Sequence, residues 1–215
     1  MRAALPSAAT IVGLLTVVIA ICFTVPQWRR LRSTGSTAGL SLASLLNSSV
    51  SLAAWTTYGL VRGDVWVTTS SLAGMPVLLM TIWLALRMGV RRDGLGLPLI
   101  WAAVLLVSAT ADHLTGMHAL DVVLGCSILW FAAPAAVTAW KSADVSGLTY
   151  GTWVLLACDG MSFGVYGAIA NVPADLVYAA SCVSGALAVL ARLALGSREP
   201  CDGECPPLRS CVCPA

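Results

Sequence analysis

Charge is scarce in this chain: 10% of its 215 residues are Asp, Glu, Lys or Arg, against 58% apolar. Soluble domains average about 25% charged and roughly 45–50% apolar, so a soluble fold of this length has too little interior to hide the apolar excess. Lysine is reduced to Lys141 at a helix end, which excludes a lysine-tethered retinal within the membrane. No small-x-small cleavage site follows the first apolar stretch, which runs through Val25-Pro26-Gln27-Trp28 into an arginine cluster. It therefore reads as a retained helix and not a secretory leader. No basic stripe with interleaved aromatics speaks for nucleic acid, and no convergent catalytic set for an enzyme. No cofactor is expected.

What is present is a series of long apolar runs, each about the 20 residues that span a hydrocarbon core at roughly 1.5 Å per residue. The expected spans are 8-27, 42-61, 65-86, 95-111, 119-140, 148-170 and 174-195. Arg29, Arg30, Arg32, Arg87, Arg91, Arg92, Lys141, Arg192, Arg198 and Arg209 fall in alternate connections, leaving only Arg2 and Arg62 on the other side. The positive-inside rule then places the N-terminus outside and the C-terminus in the cytoplasm, which requires an odd number of spans. The Ala- and Arg-rich bias suggests a bacterial plasma membrane.

Sliding the chain on itself by 108 residues superposes Phe23 on Phe131, Pro26 on Pro134, Gly39 on Gly147, Leu40 on Leu148, Tyr58 on Tyr166 and Gly59 on Gly167. Three extra residues in the second copy then bring Gly74 onto Gly185. Apolar bias does not generate matched Pro, Gly and Tyr. The expected fold is an all-α integral membrane protein of seven transmembrane helices in a 3+1+3 arrangement. A first three-helix repeat (1-87) and a second (119-195) are joined by a linker helix (88-118) that restores the orientation, making the repeats parallel. Residues 196-215, rich in Cys and Pro, read as a disordered cytoplasmic tail.

Val25-Pro26-Gln27, then Ser33 to Ser41 (STGSTAGLS), then Trp55-Thr56-Thr57-Tyr58-Gly59 resemble the first repeat of the PQ-loop superfamily. That superfamily includes the SWEET sugar transporters and lysosomal amino-acid exporters such as cystinosin. The second copy is Ala133-Pro134-Ala135, Ser142 to Thr149 and Phe163-Gly164-Val165-Tyr166-Gly167, with Ala135 where the glutamine stood. The resemblance implies transport by alternating access, with Pro26 and Pro134 as hinges and Gln27, Tyr58 and Tyr166 among the hinge and gate residues. A proline in a span kinks it by removing a backbone donor, but at a membrane boundary it can equally end the helix. The resemblance also implies substrate contacts from aromatics at Trp55 and Phe163 and from Ser71 and Cys182, which stand where SWEET proteins place asparagines. A thiol is a weak hydrogen-bonding group, so sugar specificity is less firmly implied than the position of the site.

One ion lies mid-span. Asp159 costs on the order of 2.5–3.5 kcal/mol to insert, so it must face a cavity or a partner. It is a candidate proton-coupling residue; the alternative is a neutral carboxyl bonded to a neighbouring hydroxyl or carbonyl. Asp112, His113, His118 and Asp121 cluster in one outer connection, where a solvated loop explains them better than a metal. Cys22, Cys126, Cys158 and Cys182 read as small packing residues of the spans.

The expected function is a transporter of small polar solutes, sugars first. The alternatives are a proton-coupled carrier of amino acids or other zwitterions, and a non-transporting seven-helix receptor. The expected partners are the lipid bilayer and a small-molecule substrate, and a homo-oligomer stays open.

Overall fold

The computed structural model describes residues 7–35, 37, 40–90, 92, 94–141 and 150–196; the side chains of 131, 133, 134, 135, 138 and 141 fall outside that description. The regular structure of the described residues is all helical, with no strand among them. In chain order the helices are α1 (Ala8–Thr34), α2 (Leu42–Arg62), α3 (Val65–Arg87), α4 (Gly96–Thr115), α5 (Ala119–Gly125), α6 (Leu129–Lys141), α7 (Tyr150–Ala170) and α8 (Pro173–Gly196). A single 3-10 turn, Cys126–Ile128, joins α5 to α6, so the two make one interrupted rod.

Five helices, α1, α3, α4, α7 and α8, are long and apolar enough to cross a membrane. Their outward residues suit lipid: Leu14, Leu79, Val107, Val165 and Leu187 are all about half exposed or more. Helix α2 has the length but not the hydropathy. It carries Ser44, Asn47, Ser48, Ser49, Ser51, Thr56 and Thr57, and most of these hydroxyls bond back to a carbonyl one turn earlier, as Ser48 does to Ser44, Ser49 to Leu45 and Thr56 to Leu52. Such back-bonding lets a polar helix sit among apolar neighbours.

The local signals explain where most of these helices start and stop. Ser7 and Ser41 accept from the third residue on to cap α1 and α2, and Asp64 caps α3 by accepting from Trp66 and Val67. Gly35, Gly63 and Gly116 end α1, α2 and α4 in the left-handed conformation. The expected first span stops at 27, whereas α1 runs on to Thr34. Pro26 lies inside it, and the helix carries Arg29, Arg30 and Arg32 on its final turns.

Helix α3 packs between α1 and α2, and α8 packs between the α5–α6 rod and α7. The two groups meet where α1 lies on α7, and α4 wedges between α2 and α5. Glycine makes the close approaches possible. A Cβ on Gly167 of α7 would stand 2.7 Å from the Cβ of Asp175, and one on Gly185 of α8 would stand 2.7 Å from the Cβ of Ala132 in α6.

The buried side chains form three clusters. Leu31, Leu42, Leu45, Leu78 and Ile82 make one within α1–α3, and Trp153, Leu156, Cys182, Ala186 and Val189 another among α6–α8. The third draws on both groups and on α4: Trp55, Tyr58, Val67, Trp101, Leu124 and Tyr166. It lies toward the end of the bundle that carries Arg62, Asp64, His118 and Asn171, away from the arginine-rich end.

Candidate functional site

Two polar closures hold that end together. Tyr58, at the end of α2, donates its hydroxyl to Asp121 Oδ1 of α5 at 2.7 Å. Arg62, one turn on, grips both oxygens of the same carboxylate at 3.0 and 3.1 Å, and its guanidinium also lies 4.9 Å over the Tyr58 ring. His118 Nδ1 is 2.9 Å from Asp121 Oδ2. Asp121 is buried, so its charge is balanced locally by Arg62 and by hydrogen bonds. The second closure is Tyr166 of α7, whose hydroxyl lies 2.8 and 2.9 Å from the two oxygens of Asp64.

The candidate metal cluster resolves differently. Asp121 and His118 belong to the first closure, and among the described residues no group of three or more His, Cys, Asp or Glu could hold a metal.

Deeper in the bundle, three of the expected residues converge on one that the sequence reading missed. Tyr178 of α8 donates to Asp159 Oδ2 at 2.7 Å. Its ring meets Trp55 edge-on at 5.7 Å between centroids and Phe163 edge-on at 5.3 Å. Trp55 reaches across as well, its Nε1 donating to Ser127 Oγ in the 3-10 turn at 3.3 Å. Asp159 is buried, with its Oδ1 unpartnered. Tyr178 sits 111 positions after Val67, the offset that matches Gly185 to Gly74, so repeat matching alone offered no signal for it. Tyr178 and Asp159 stand on different helices, 19 residues apart, so their meeting depends on how α7 packs on α8.

Ser71 is turned elsewhere, whereas Cys182 lies against Tyr178. Ser71 Oγ donates to the carbonyl of Val67 in its own helix, and Cys182 Sγ donates to the carbonyl of Leu156 across the α7–α8 contact. Pro26 and Gln27 are exposed on α1. Pro134 lies within α6, its side chain outside the described residues. The break in that rod falls earlier, at Cys126–Ile128, where Ser127 faces Trp55. The motif segment 142–149, most of the matching segment 36–39 and the tail 197–215 are likewise outside the described residues.

At the opposite end, arginines stack on tryptophans: Arg32 over Trp28 at 5.3 Å and Arg87 over Trp83 at 4.1 Å. Trp140 Nε1 donates to the carbonyl of Ala188 and Arg192 Nε to that of Ala139. This combination of indoles and guanidinium groups suits a membrane interface.

No family model, curated protein or solved structure matches the chain.

Proposed function

We propose that the chain is a multi-pass membrane transporter of small polar solutes, sugars first, working by alternating access between two parallel three-helix repeats, α1–α3 and α5–α8, with α4 as the linker. The observation that carries this reading is the pair of closures. Tyr58 and Tyr166 are 108 residues apart in matching positions of the two repeats, and each donates to an aspartate of the other repeat. A structural fold has little need to repeat such a device. A carrier does, because it must seal one mouth of a central site with bonds that can be exchanged for water.

Packing supports the repeat reading, since the third helix lies between the first and second in each unit. The core shared by the units lies near the closures, while the other two clusters stay largely within one unit each. The closed mouth is then the outer one, because Arg29, Arg30, Arg87 and Arg192 occupy the opposite, cytoplasmic end. The substrate site is the layer beneath the closures, where Trp55, Tyr178 and Phe163 offer ring faces to a sugar. Opening would part Tyr178 from its neighbours, with Pro26 and the Cys126–Ile128 turn as bending points.

One observation favours a second reading. Asp159 brings an unpartnered carboxylate oxygen to the aromatic layer, whereas Ser71 and Cys182 spend their polar groups on backbone carbonyls. That combination suits a proton-coupled carrier of an amino acid. The test is uptake into proteoliposomes of labelled sugars and amino acids at two pH values. Sugar uptake indifferent to pH supports the first reading and proton-driven amino-acid uptake the second; no uptake of either class above protein-free vesicles counts against both.

A further inference from the structure

Asp175 is the least expected group in the molecule. It stands in the first turn of α8, fully buried, and neither carboxylate oxygen has a hydrogen-bond partner. Its Cβ is pressed against Gly167, so α7 and α8 close over it. Its backbone N–H bonds to the carbonyl of Val172, and its side chain accepts from no helix-start amide.

Its electrical surroundings are equally unhelpful. The charges that reach it are those of Asp64 and Asp159, both of its own sign. Tyr166 and Tyr58 lie within its field, but Tyr166 donates its hydrogen bond to Asp64 and Tyr58 donates its own to Asp121. On α5, Asp121 is occupied by Arg62, Tyr58 and His118. From the 3-10 turn, Cys126 accepts from Ser181, a neutral contact further along α8. Arg62, the cation of the outer closure, is thus committed to Asp121. Only the amide dipoles of the first turn of α8 favour a negative charge at Asp175, an effect of about 0.3–1 kcal/mol, up to about 2 kcal/mol when partly buried. Burying a bare carboxylate beside two others costs several times more.

We propose that Asp175 is a proton-binding site of the outer closure: its carboxyl carries a proton while Tyr166 is bonded to Asp64, and its loss to the outer solution drives the closure open. The step balances simply. The carboxyl O–H bond breaks, the proton passes to outer water or buffer, and the carboxylate left behind repels Asp64 until α7 and α8 part from α3 and water reaches both. This inference rests on the transport reading for its purpose but not for its test, which uses no solute. It differs from the proton-coupling candidate of the second reading, since Asp159 already has the Tyr178 hydroxyl as partner.

The experiment is infrared difference spectroscopy on the full chain reconstituted in lipid, titrated with pH, for wild type, Asp175→Asn and Asp159→Asn. A carbonyl stretch of a protonated, weakly bonded carboxyl is expected in the wild type at neutral pH. It should vanish on alkalinisation, be missing in Asp175→Asn and persist in Asp159→Asn. Hydrogen exchange at one alkaline pH then reads the closure: peptides covering 63–68 and 118–124 should exchange several-fold faster in wild type than in Asp175→Asn. Should the Asn variant not fold, Asp175→Glu replaces it and must shift the frequency of the band. A band absent from the wild type, unmoved by the Asn or Glu change, or lost in Asp159→Asn overturns the proposal, as does equal exchange in wild type and Asp175→Asn.

Discussion

Tyr166 and Asp64, 102 residues apart in the chain, meet with the phenol oxygen 2.8 and 2.9 Å from the two carboxylate oxygens. Asp64 is also the cap of α3, accepting from Trp66 and Val67. One carboxylate therefore both starts a helix of the first unit and ties down a helix of the second. A hydrogen bond to a charged group contributes about 1.5–3 kcal/mol. Tyr166→Phe should accordingly raise hydrogen exchange at 63–68 by roughly tenfold or more, with the α3 cap intact. Exchange equal to wild type would mean that the bond does not hold the two units together.

Arg62 and Asp121 make the other tie, and here the asymmetry of removal decides the effect. Deleting the cation leaves a buried carboxylate uncompensated, a loss of about 3–5 kcal/mol. Arg62→Ala should lower the thermal midpoint in detergent sharply, while Arg62→Ala with Asp121→Asn recovers much of it. A double variant no better than the single one would contradict the pairing.

Pro26 lies inside α1 with two more turns of helix beyond it, so it does not end the helix. Replacing it with Ala restores a backbone donor and should slow uptake several-fold without reducing insertion or yield. Unchanged uptake would remove Pro26 from the moving parts.

Close packing of α7 on α8 depends on the absence of a side chain at 167. Gly167→Ala forces a methyl against Asp175 and should cost about 1–3 kcal/mol by overpacking. Gly151→Ala, where a Cβ meets nothing within 4 Å, is the neutral control. Equal thermal midpoints for the two variants would contradict the packing described here.

The two substrate readings part at Asp159 and the rings around Tyr178. Under the sugar reading, Trp55→Ala or Phe163→Ala abolishes uptake and Asp159→Asn leaves its pH response unaltered. Under proton coupling, Asp159→Asn removes the pH dependence of uptake while exchange of solute for solute survives.

How legible was this in the sequence? Apolar runs and the polar segments between them located most of the helices to within a few residues, and the structure supplies the reason in the caps Ser7, Ser41 and Asp64 and the stops Gly35, Gly63 and Gly116. The overrun of α1 beyond Pro26 was missed because a proline followed by three arginines resembles a boundary, yet the long arginine stems tolerate helix there. Trp55 and Phe163 were legible through the resemblance and Asp159 separately as a mid-span ion, but not the side chain that meets all three: Tyr178 has no counterpart at the matching position, where Val67 stands. Asp121 and His118 looked like a loop cluster because Tyr58 and Arg62, the distant partners of Asp121, are 63 and 59 residues away and helix packing alone brings them together. The closures were thus invisible until the two groups of helices were docked.

The direct test of alternating access is a pair of distances read by electron–electron double resonance in lipid, with spin labels at Val61 and Ala168 near the closures and at Arg30 and Leu195 near the opposite end. Adding the transported solute should change the two distances with opposite sign, one mouth widening as the other narrows, and Tyr166→Phe should bias the distribution toward a wider closure end before any solute is added. Distances that stay fixed, or that move together, would contradict the account.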